Sequence, residues 1–390
     1  LKDRNIQRTL SYSNIQLRSG LGIMNGIETK TSNKKVYFEV MRIIAAYFVI
    51  FNHTGDRGFF MFSQRPVGHA NFWSYLFISI FCTFSVSLFF MISGALLLPK
   101  EEPVCVVWKK RLFPIVVTLF VFSLFYYTCN TYYNGESFEI RDFMRRLYSL
   151  HLSPHLWYLY AYIAFIMSLP FLRKLAHNVG GTHRFYYLIG LAFGFQSIVP
   201  CVDYLLFHGE ISISGNLVPS WLLSDVVLYP LLGYFLEYYV DIHKAKKYIP
   251  FLIVADILTI IISGYMTYIR GLDMGVVFEE GKSQVFHKSF VMVNAITVFV
   301  SIKALCMSVS FPKTIVKFIL TLGKCSFGIY LFHVFVKDRL GLWTIYDFMI
   351  SLGMNAMLSS FVVCLIIMTV SYIITLIMSK VPVLRKLVGF

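Results

Sequence analysis

The sequence predicts an all-α, polytopic transmembrane bundle of about ten helices, and three observations carry that reading. The chain has 390 residues, 57% of them hydrophobic and only 14% charged, whereas a soluble domain carries about 25% charged residues. A chain so poor in charge cannot cover the surface of a soluble fold of this size. From Val36 onward, apolar stretches alternate with short polar breaks, most of them near the about 20 residues a helix needs to cross a bilayer. These runs exceed the about 10 residues of a barrel strand and do not alternate polar with apolar, which excludes an outer-membrane barrel. Composition likewise excludes a disordered chain or a collagen-like fibre.

Residues 1–35 are polar and basic and lack the apolar core of a secretory signal. They read as a disordered cytoplasmic tail, with Met24 an alternative start. Ten spans follow, at about 36–53, 73–98, 112–130, 155–174, 184–202, 218–240, 249–269, 285–305, 325–343 and 355–379. Before the ninth, residues 316–322 form a short apolar piece that reads as re-entrant or interfacial. Without an internal repeat or a Pro/Gly linker, residues 36–380 make one transmembrane domain, and 381–390 a short cytoplasmic tail.

Charge sets the orientation. The net charge is +15. With the N-terminus inside, the inner segments hold 24 Lys and Arg against 10 in the outer ones, and Arg42 lies within the first span. Basic residues gather on the cytoplasmic side and meet anionic lipid there, so both termini are expected inside the cell membrane. No basic face interleaved with aromatics exists, so a nucleic-acid partner is not expected. The seven cysteines include no C-x-x-C pair and read as small buried apolar side chains. The scattered histidines form no metal-ligand pattern, so no metal is expected.

Ionisable residues inside spans cost at least about 2.5–3.5 kcal/mol each at the bilayer centre and are functional candidates for that reason. The first span carries Glu39, Arg42 and His53. Glu39 and Arg42 are three apart and can pair, which alone would only anchor the helix end. Arg42 and His53 are eleven apart, close to three full turns, so they share a face about 16 Å apart along the axis. At the end of the second span, Ser93-Gly94 permits close helix approach. Lys109, Lys110 and Arg111 head the third span: ordinary inner-side charge, or a seat for an anionic ligand such as a nucleotide phosphate. His155, Trp157 and Tyr158 suit an interfacial aromatic belt. Asp225 and Asp256 lie within later spans, and Tyr330 and His333, three apart, can share a face of the ninth.

Together these segments resemble the acyltransferase 3 family of integral membrane acyltransferases. The resemblance rests on Arg-x10-His from Arg42 to His53, FFMISGALLL, the basic stretch before the third span, HLWYL and SFGIYLFH, in that order over about residues 36–380. It implies a ten-helix domain that moves an acyl group, most often acetyl, from cytoplasmic acyl-CoA as co-substrate to an envelope glycan or lipid-linked sugar. It also carries a requirement for Arg42 and His53. The family's R-x-x-R motif is incomplete here: with Arg111 first, Pro114 stands in the second place, and with Arg111 second, Trp108 stands in the first. On this reading Lys109, Lys110 and Arg111 hold the donor phosphates. His53 acts as general base or nucleophile, and Arg42 orients the thioester or stabilises developing charge. Trp157, Tyr158, Asp225, Tyr330 and His333 are acceptor-side candidates. A transporter or flippase of an envelope precursor, or an inactive subunit of an envelope-assembly complex, are the alternatives.

Overall fold

The computed structural model describes residues 24–65, 69–149, 152–274 and 283–389. Residues 1–23 of the expected tail lie outside the described residues. Every described regular element is helical. Helix α1 (Met24–Asn52) leads into two short turns, then α2 (Ala70–Cys82) and α3 (Phe84–Leu97), which form one span broken at Thr83. A π-helical turn at Val107–Leu112 opens α4 (Phe113–Asn134), and α5 (Ile140–Ser149) follows. Then come α6 (Trp157–Val179), α7 (His183–Phe193) and, after a second π-helical turn at Gly194–Ile198, α8 (Val199–Phe207). The chain continues through α9 (Asp225–Tyr238), α10 (Ile249–Met274), α11 (Val291–Ser308), α12 (Lys313–Lys324) and α13 (Ser326–Arg339). It ends with α14 (Trp343–Ser351), α15 (Ala356–Ser379) and α16 (Pro382–Leu387).

The all-helical membrane architecture stands, but ten spans is too many. Among the described residues seven helices are long and apolar enough to cross a bilayer, or eight if α12 and α13, bent by 62°, make one broken span. The two that fall short have physical reasons. Helix α9 has 14 residues, a rise of about 21 Å against a hydrocarbon core of about 30 Å. The apolar part of α1 begins only at Val36 and carries Glu39 and Arg42. The short piece expected before the ninth span is α12, and the bend at Cys325 separates it from α13. Residues 24–35, read from sequence as tail, continue the backbone of α1.

Although its apolar part is short, α1 is the centre of the bundle. It packs against α3, α11, α12, α13 and α15, with Met41, Ala45, Ile50 and Phe51 fully enclosed. Helices α3 and α9 meet backbone to backbone: a Cβ on Gly94 would overlap the Pro230 carbonyl, and one on Gly233 the Met91 carbonyl. Only glycine allows that approach. The Ser93-Gly94 pair therefore does what its sequence permits, with Gly233 as the reciprocal notch.

A buried pin ties α1 to the same region. Lys303 Nζ of α11 lies 2.9 Å from Glu237 Oε2, which also accepts a 2.6 Å hydrogen bond from the Tyr37 hydroxyl. Both charges are thus paired and hydrogen-bonded, the condition under which burial is tolerable.

Candidate functional site

The site is built where α1 ends. His53 follows the last helical residue, its backbone N–H bonded to the Ile50 carbonyl at 3.0 Å. Two other histidines converge on it. His155 sits in the turn before α6, fully buried, with Ser153 Oγ 2.9 Å from its Nδ1. Its carbonyl accepts a 2.6 Å hydrogen bond from the Tyr330 hydroxyl. His333, on α13 and fully buried, lies with Nδ1 2.6 Å from the Tyr330 carbonyl. A carbonyl only accepts, so Nδ1 carries the proton and Nε2 keeps its lone pair. That Nε2 has no hydrogen-bond partner among the described residues. Ring centroids are 5.2 Å apart for His53 and His333, 5.1 Å for His155 and His333, and 6.3 Å for His53 and His155.

Two cavities of about 430 Å³ each meet at this cluster, and both are lined by His53, Val86 and Trp157. The first runs down the bundle from His53 and His155, past Tyr158 and Tyr330, to a mouth of cations: Arg42, Lys110, Arg111, Lys324 and Lys386. Arg42 and His53 therefore do face one space, as their eleven-residue spacing requires. Arg42 Nη1 holds Glu39 Oε1 at 2.5 Å. The second cavity opens from the other side of His53 and holds Asn52, Gln196, Asp225, Tyr229 and Lys288. The Asn52 side chain donates to the Cys82 carbonyl and to Ser85 Oγ, leaving its buried Oδ1 without a partner.

The structure brings His53, Arg42, Lys110, Arg111, Trp157, Tyr158, Tyr330 and Asp225 to the lining of these two spaces. His333 packs behind His53 as part of the histidine cluster. Lys109 does not join them; it is exposed, outside both cavities. Asp256 is buried elsewhere, around a small void with Thr83, Ser263, His287 and Asn294. Sequence reasoning left His155 in an interfacial belt, and its position depends on contacts with α13 that local pattern does not reveal. Lys324, Lys386, Gln196 and Lys288 were not singled out at all. The only local signals for them are a Gly-Lys break at Gly323-Lys324 and the π-helical turn that carries Gln196, a device often found at functional sites.

Electrostatics at the basic mouth centre on Glu102, in the loop between α3 and the third span. Arg111 grips it with two prongs, Nε to Oε2 at 2.8 Å and Nη2 to Oε1 at 2.6 Å. Arg173, buried, adds Nη2 to Oε2 at 2.8 Å. Hydrogen bonds from Arg111 outweigh the cost of burial and, with those from Arg173, hold the Glu102 carboxyl at about 2. One carboxylate thus shares two guanidiniums, in the bidentate geometry that suits arginine. Among the described residues no three His, Cys, Asp or Glu side chains converge as a metal site.

Chemically, the arrangement offers a histidine reached from two chambers, one lined with cations at its far end, the other with a carboxylate, a lysine and amides. Comparison with known proteins adds one result: the model of an acyltransferase domain family matches residues 35–376, nearly the whole chain. No curated protein and no solved structure matches.

Proposed function

The chain belongs to the acyltransferase 3 family, and from that premise we propose that it transfers an acyl group, acetyl in the first instance, from acyl-CoA to a hydroxyl of a cell-envelope glycan or lipid-linked sugar. One observation carries this reading: two cavities with different linings share His53. The cation-rich mouth suits the phosphates of CoA, and the acyl–pantetheine arm threads the first cavity towards His53. The second cavity takes the acceptor. There Asp225, Gln196 and the free Oδ1 of Asn52 meet hydroxyl groups, and the rings of Trp157 and Tyr229 pack against the apolar face of a sugar.

The chemistry follows from the positions. His53 takes the proton from the acceptor hydroxyl; the hydroxyl oxygen attacks the thioester carbonyl; the tetrahedral intermediate collapses with loss of the CoA thiolate, which regains a proton. The same His53 also has the reach for a covalent route in which it carries the acyl group between chambers. His333 and His155 hold the His53 ring in place. Arg42 lies about 16 Å along the axis from His53, too far to bear on the reacting carbonyl. Its part is to hold the donor on the basic side.

Placed in the cell membrane with the cation-rich mouth inside, as the loop charges favour, the protein would draw its donor from the cytoplasm and deliver the acyl group outside. The purified protein, given acetyl-CoA labelled in the acetyl group and an envelope glycan fraction, is expected to label the glycan. His53→Ala is expected to cut the rate by about 10²–10⁴-fold, the usual worth of a general base. Undiminished transfer by that variant would remove His53 from the mechanism. Movement of substrate across vesicles with no label transferred would mark a transporter.

A further inference from the structure

The incomplete basic motif has a structural counterpart. Arg111, its one arginine, is closed on Glu102 together with Arg173, so its fork is occupied. Three other cations line the same mouth: Lys110 from the π-helical turn before α4, Lys324 from the end of α12, and Lys386 from α16. All three are exposed to the opening, and among the described residues none is paired with a carboxylate.

Helix α16 is docked where this matters. The Leu387 carbonyl accepts a hydrogen bond from Thr118 Oγ1 of α4 at 3.3 Å, and Val388 is fully buried. Gly389 lies so close to Phe327 of α13 that a Cβ there would stand 3.1 Å from the ring. Thr118 and Phe327 both line the first cavity. The residues expected to be a tail therefore close the gap between α4 and α13.

Resting on the donor-cavity reading, we infer that Lys110, Lys324 and Lys386 form a three-sided clamp for the phosphates of CoA, with α16 as one wall of the donor site. The clamp replaces a pair of guanidinium forks with three single-point ammonium contacts. Such contacts tolerate several phosphate orientations and depend strongly on ionic strength.

Equilibrium binding of CoA and of dephospho-CoA to the purified full-length chain tests this without turnover. Lys324→Ala and Lys386→Ala are each expected to weaken CoA binding about tenfold at low salt, the effect of one lost charge-assisted contact. The loss should shrink at high salt, and Lys386→Arg should restore most of it. At least one of the two alanine variants should also lose the preference for CoA over dephospho-CoA. Lys317→Ala, on α12 but outside the cavity, reports the general field, and unchanged thermal unfolding shows that each variant is folded. Wild-type binding with unchanged affinities in both lysine variants, or an equal loss in Lys317→Ala, overturns the clamp alone. A wild-type protein that binds no CoA overturns both the clamp and the donor reading beneath it.

Discussion

At the scale of single residues, the site depends on how each histidine is held. His333 Nδ1 is fixed on the Tyr330 carbonyl, so the ring presents an unprotonated Nε2 to the cluster. Replacing it with alanine is expected to lower kcat about tenfold or more while leaving KM for the donor unchanged, because positioning acts on the chemical step rather than on donor binding. Steady-state kinetics at fixed acceptor separate the two constants. Glu102 gives a different signature. Its carboxyl is held at about 2, below an ordinary 4.5, so the folded state binds that proton less tightly than the unfolded chain. The stability it adds is complete above about pH 5 and drains away as pH falls towards 2. Thermal unfolding of wild type and Glu102→Gln should therefore differ at pH 7 and converge in acid. A gap that kept its pH 7 size down to pH 2 would contradict this assignment. Arg42 and His53 were legible in the sequence because a spacing of eleven residues is itself geometry on a helix. Lys324, Lys386 and His155 were not, because they reach the site through tertiary contacts between segments far apart in the chain.

At the scale of helices, the decisive contact is the one between α3 and α9. Gly94→Ala places a methyl group against the Pro230 carbonyl, and Gly233→Ala against the Met91 carbonyl. Each is expected to cost about 1–3 kcal/mol of stability through overpacking. The double variant should lose less than the sum, because either methyl alone already parts the helices. Thermal unfolding in detergent measures both. Ser93-Gly94 was visible as a permissive pair, yet its partner was not, since a lone Gly233 between apolar residues carries no mark of what faces it. Hydropathy found all the long spans. It overcounted because a window of apolar residues registers α9 without regard to its 14-residue length, and α1 without regard to the short apolar part, residues 36–52, that it holds. Those two elements border the proposed site: α1 ends one residue before His53, and α9 begins at Asp225.

At the scale of the whole molecule, the scarce charge of the sequence is spent in few places. Lys303 and Glu237 form a buried pin on Tyr37. Lys303→Met takes that ammonium away from Glu237, and stability should fall by about 1–3 kcal/mol, the worth of a hydrogen bond to a charged group. Five further cations, Arg42, Lys110, Arg111, Lys324 and Lys386, line one of the two cavities that share His53. That sharing is the central claim: a donor chamber and an acceptor chamber on opposite sides of one histidine. It is tested most directly in sealed proteoliposomes of uniform orientation, with labelled acetyl-CoA confined to the side of the basic mouth and the glycan acceptor to the other. Label is expected on the acceptor across the membrane, and only with His53 intact. Label found solely on acceptor supplied beside the donor, or transfer across the membrane that persists in His53→Ala, would contradict it.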